Sequence, residues 1–88
     1  MSNSPILLMA GKYDASKGLA NIIGLVTGAS EGSDICYVLK SAQSKIIENA
    51  RDVGADIVEN LSIVNTRGPS HYSVIMYGNA LKTVGEAR

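Results

Sequence analysis

Phenylalanine and tryptophan are absent from this chain of 88 residues, and cysteine and histidine occur once each. Without the two largest apolar rings, any core must be assembled from Ile, Leu, Val, Ala and Met. The lone Cys36 excludes an internal disulfide. The N-terminus lacks the basic, apolar and small-residue regions of a secretory signal, so the expected compartment is the reducing cytoplasm. Charge of one sign is missing as well: eight acidic and eight basic side chains cancel. No global field then favours nucleic acid, an anionic membrane or an acidic partner. No apolar run approaches the roughly 18 residues of a transmembrane helix. The four tyrosines are not interleaved with clustered Lys or Arg. Packing in the core or at an interface explains them better than base stacking.

What is present fits one small α+β domain spanning 1–88. A chain of this size buries only roughly 60 to 65% of the surface it exposes when unfolded, so it needs economical packing or partners. The clearest element is a helix between residues 34 and 53, where Ile35, Leu39, Ala42, Ile46, Ala50 and Val53 recur at helical spacing. Lys40, Ser41, Ser44, Glu48, Arg51 and Asp52 fall on the opposite arc, and Cys36 and Ile47 on one flank. Ser33 or Asp34 can cap its start, and Gly54 can take the left-handed position that ends it. Residues 6–9, 21–27, 57–64 and 72–81 are enriched in β-branched and aromatic residues and read as strands, in the order β-β-α-β-β. The expectation is a small antiparallel sheet packed on one long helix. The segment Arg67-Gly68-Pro69 reads as the turn of a closing hairpin. Gly78-Asn79 is either a second turn or part of one continuous strand with a bulge or close packing at Gly78, and the single strand is preferred. Residues 1–4 read as a loose end.

The strand faces carry the main inference. Alternate residues point to opposite sides of a sheet. In residues 57–64, Ile57, Leu61 and Ile63 share one side and Val58 and Val64 the other; in the last strand Tyr72, Val74 and Met76 oppose Ile75, Tyr77 and Leu81. Neither face is polar. One helix covers one face, and nothing remains in the chain to cover the second, so another subunit is expected there.

The stretch LVTGASEGSD resembles the phosphate-binding turn of a short-chain dehydrogenase, with Thr27, Gly28 and Gly32 in place. The third glycine position is Asp34, a carboxylate where an anion would approach a helix end. The strand order also lacks the successive βαβ units such a site requires. The glycines read instead as loop punctuation, Gly28 at a strand end and Gly32 before the helix cap. No catalytic group can be assigned: His71 has no fixed neighbour that defines a nucleophile and base. Glu48 with Asp52, and Asp14 with Glu31, form no acid-base pair. Cys36 reads as a small buried hydrophobe rather than a reactive thiol. Soft-metal ligation by Cys36, His71, Met9 or Met76 has no local CxxC or HxxxH spacing behind it, although a symmetric ring could bring one Cys or His per subunit to its axis.

Three segments are linked by a resemblance. NIIGLVTG at residues 21–28, ARDVGADIV at 50–58 and VIMYGNAL at 74–81 resemble the strand, helix exit and closing strand of the YbjQ-like family, whose other name labels it a heavy-metal-binding domain. The resemblance covers roughly residues 21–83. It implies a dodecin-like subunit and a ring-shaped homo-oligomer, a pentamer, with an apolar sheet face used in assembly. A flavin sandwiched by tryptophan, as in dodecins proper, is not expected in a chain without tryptophan. The resulting expectation is a cytoplasmic, non-enzymatic oligomeric module that binds a metal ion or small ligand between subunits, with Cys36 and His71 as candidate metal ligands. The alternative is an interaction or stress-response domain acting through an exposed sheet edge.

Overall fold

The computed structural model describes residues 5–14, 16 and 18–85; the loose end expected at 1–4 lies outside them. Five elements follow one another: β1 (Leu7–Leu8), β2 (Leu19–Gly32), α1 (Ile35–Asp52), β3 (Ile57–Gly68) and β4 (His71–Gly85). The expected order holds, and the fold is a small α+β domain with one helix on a four-stranded sheet. The sheet order is β1-β3-β4-β2. The three long strands are antiparallel to their neighbours, as expected, but β1 joins the edge of β3 in parallel, through Leu7↔Ile57 and Leu8↔Val58. The sheet is therefore mixed, and only β3 and β4 form a hairpin.

The helix begins where Asp34, in extended conformation, accepts hydrogen bonds from the backbone N–H groups of Cys36 and Tyr37. A cap of this kind contributes about 1 kcal/mol. It ends in a Schellman motif: Gly54, at φ 83°, donates its N–H to Arg51, and Ala55 donates to Ala50. Val38, Ala42, Ile46 and Ala50 are the fully buried residues of α1. Val38 was not on the expected stripe, whereas Ile35 and Leu39 are half-buried and Val53 is exposed. The helix is rolled toward β2, where a Cβ on Gly32 would lie 3.2 Å from Val38 Cγ2. That roll turns the arc of Cys36 away from the sheet, so Cys36 is exposed rather than buried.

Gly28 corrects a second expectation. It lies in the middle of β2, paired with Met76, and not at a strand end. A Cβ there would sit 2.4 Å from the Ile46 nitrogen and 2.6 Å from the Ala42 carbonyl oxygen. Gly28 is thus the point where helix backbone meets sheet backbone, and Asn49 Nδ2 adds a 2.7 Å bond to the Thr27 carbonyl beside it. The core lies between α1 and the facing sides of β2, β3 and β4, with Val26, Val58, Val74, Met76 and Ala80 opposite the helix residues.

β4 is one continuous strand, so Gly78-Asn79 is not a turn. The bulge lies across from it, in β3 between Glu59 and Ser62, with Asn60 at φ 52°. Gly78 has no room for a side chain: a Cβ would lie 2.7 Å from Val58 Cγ1 and 2.8 Å from the Glu59 carbonyl oxygen.

Candidate functional site

Residues paired directly across a sheet share a face, so the registers assign both sides. Val58/Ala80, Ile63/Met76 and Asn65/Val74 lie on the helix side; Ile57/Leu81, Glu59/Asn79/Leu25, Ser62/Tyr77/Thr27 and Val64/Ile75/Ala29 lie on the other. The extra residue of the β3 bulge reverses the alternation beyond it. Val64 therefore joins Ile57, and Ile63 joins Val58, the opposite of strict alternation. In β4 the expected opposition of Tyr72, Val74 and Met76 to Ile75, Tyr77 and Leu81 holds.

The second face has two halves. At one end Ile57, Leu81 and Glu59 are buried. Here the connection between β1 and β2 is tied to the bulge: Asn60 donates its N–H to the Gly11 carbonyl, Leu61 to that of Met9, and the Tyr13 N–H donates to Glu59 Oε1 at 2.8 Å. The chain thus secures part of the face that was expected to have no cover. The rest of the face is bare and apolar: along β2, Ile22 is 72% exposed beside Leu81 and Leu25 66% beside Asn79, and toward the other end Val64 is 46%, Ile75 45% and Tyr77 38% exposed around Ala29.

Glu59 escaped the sequence reading, although a carboxylate followed by Asn inside the apolar run IVENLSIV was a legible signal. Asn tolerates a left-handed backbone, and a charge buried in a strand requires a hydrogen-bonding partner. Only 7% exposed, Glu59 holds the connection in place. Glu59→Ala is expected to cost about 1 to 3 kcal/mol by leaving the Tyr13 N–H without its acceptor. Limited proteolysis should then cut the β1–β2 connection first, and resistance equal to the parent would show that this bond does not hold the segment.

At the far end of the bare half, His71 Nε2 lies 3.2 Å from Glu31 Oε1, both side chains exposed. Cys36 stands in the first turn of α1, beyond the same end of β2. The two candidate ligands thus belong to one end of the molecule, but the described residues contain no group of three or more His, Cys, Asp or Glu able to hold a metal ion. A shallow, open cleft of about 420 Å³ adjoins the contact between His71 and Glu31, lined by Ala29, Ser30, Glu31, Lys45, Ser73, Val74 and Ile75. Asp56 is engaged structurally, accepting from the N–H and hydroxyl of Thr83. Tyr37 and Tyr77 are exposed, and Tyr13 and Tyr72 half-buried. The dehydrogenase-like stretch forms no phosphate loop, because residues 27–32 continue β2 antiparallel to β4. No helix among the described residues is long and apolar enough to cross a membrane.

No family model matches the chain, and no curated protein matches it in sequence. A crystal structure at 2.73 Å of a protein of unknown function from Pediococcus pentosaceus ATCC 25745, belonging to the DUF74 family, is similar to it. The TM-score is 0.80 at 13% sequence identity, over 90% of this chain and 98% of that one. DUF74 is the YbjQ-like family. At this identity the likeness shows the shared fold alone.

Proposed function

We propose that the protein is a cytoplasmic, non-enzymatic module and a distant relative of the DUF74 proteins, assembled as a homo-oligomeric ring, a pentamer by the family resemblance. In this reading it holds a metal ion or small ligand where copies meet. The bare apolar half of the second sheet face, Leu25, Ala29, Val64, Ile75 and Tyr77, supports the assembly. Monomeric proteins rarely leave a contiguous apolar patch larger than a few hundred Å² in water. The domain is also too small to offset such exposure with a large core. Around a symmetry axis, His71 with Glu31 from each copy, or Cys36 from each copy, supplies the ligand number that one chain lacks.

Light scattering after size exclusion, run across a concentration series, is expected to show a discrete multiple of the 9.2 kDa chain. A monomer at micromolar concentration overturns the reading. Titration with zinc is expected to give a saturable stoichiometry that falls in His71→Ala or Cys36→Ser; unchanged stoichiometry in both variants removes both side chains as ligands. The unpaired outer edge of β2 favours a second reading, in which a strand of another protein adds to the sheet. That reading predicts a monomer until the partner is present.

A further inference from the structure

We infer that copies of this chain join edge to edge, β2 of one copy adding in parallel to the far half of β3 of the next; this rests on the oligomeric reading above. Among the described residues, β2 is an edge strand along its outer side, and the opposite edge, β3, is covered by β1 only at Ile57 and Val58. The connection tied to Asn60 and Leu61 extends that cover slightly. Residues 62–68 then present a second open edge. Proteins that keep strand edges solitary protect them with Lys, Pro, bulges or a covering segment. β2 spans 14 residues without Lys, Arg or Pro, and its irregularities are confined to the Leu19–Gly24 end. Asn49 occupies the Thr27 carbonyl, leaving residues 28–32 as the pairing segment.

Three features select a second copy as the occupant. β2 and β3 both run antiparallel to β4, so they point the same way. A rotation about an axis along the strands therefore brings the two edges together with the sheet continuous. Next, α1 packs on β2 and β4, leaving the far half of β3 bare on both sides, with Ile63 52% exposed on the helix side and Val64 on the other. An added β2 carries its own α1 over the same side of the sheet, alongside Ile63. Last, the edges hold no like-charge barrier: Glu31 is the single charged residue of β2, and Arg67 that of residues 62–68. A two-fold pairing of β2 with β2 would leave both β3 edges open, whereas the head-to-tail seam pairs residues 28–32 of each copy with the open part of β3 of the next all around a closed ring.

Cysteine cross-linking tests the seam. In a Cys36→Ser background, Ala29→Cys is combined with Val64→Cys, or with Thr66→Cys to allow a two-residue stagger. All three positions share the second face. Within one chain β4 separates β2 from β3, placing their backbones roughly 9 to 10 Å apart. A disulfide needs Cα atoms within about 7 Å, so any bond must join two copies. Under copper-phenanthroline oxidation, at least one double variant is expected to pass mostly from the monomer band to a ladder of covalent multiples, while each single variant stays monomeric on the denaturing gel. No ladder from a parent that is oligomeric by light scattering overturns the seam and leaves the assembly standing. Cross-linking of the single variants overturns it in favour of face-to-face packing. A monomeric parent overturns both.

Discussion

Gly28→Ala is expected to cost about 3 kcal/mol or more, at the upper end of overpacking substitutions. The added methyl would meet the Ile46 nitrogen at 2.4 Å, the Ala42 carbonyl oxygen at 2.6 Å and the Ile46 Cα at 2.8 Å. All three are backbone atoms of a helix held by a cap at each end, so no rotamer change relieves the contact. The helix must lift from β2 and loosen the packing of Val38, Ala42 and Ile46. For a domain of this size each kcal/mol lowers the melting temperature by about 4 to 8 °C, so a loss of roughly 12 to 24 °C should appear in calorimetry. A melting point within a few degrees of the parent would show that helix and sheet are not in contact at Gly28.

For an assembly of the kind proposed above, the double variant Ile75→Glu/Tyr77→Glu is expected to give folded single chains. Both side chains lie on the bare half of the second face, so in an isolated chain the carboxylates remain in water and the core between sheet and helix is untouched. In a ring closed edge to edge with this face turned to the axis, the carboxylates of all copies would converge on one apolar lumen, where each buried unpaired charge costs several kcal/mol. Light scattering should give 9.2 kDa, with circular dichroism unchanged. An intact oligomer would show that this face does not line the ring, and loss of the fold would show that these positions belong to a core.

Much of this architecture was legible before any coordinates. The spacing of Ala42, Ile46 and Ala50 marks a helix with a buried stripe, Asp34 and Gly54 mark its ends, and the β-branched runs mark strands. What escaped was non-local. The roll of the helix that buries Val38 and exposes Cys36 depends on where β2 lies under it. The parallel pairing of β1 with β3 depends on a connection whose bonds fall on a bulge more than 40 residues away in sequence. That bulge, signalled only by Glu59-Asn60, also exchanged the faces of Ile63 and Val64. Of the candidate ligands, His71 starts β4 just after the turn that joins it to β3, whereas Glu31 beside it came from a register no local pattern encodes.

By itself, the sequence determined the element order, the helix caps and a surplus of apolar strand residues over what one helix can cover, because periodicity and capping act over a few neighbours. Tertiary structure alone decided how that surplus is distributed. The β1–β2 connection is tied over one end of the second face, the far half of β3 stays bare on both sides, and the strands β2 and β3, open on opposite edges of the sheet, run the same way. These outcomes depend on register and on the offset of the helix, which arise only when segments distant in the chain are packed together.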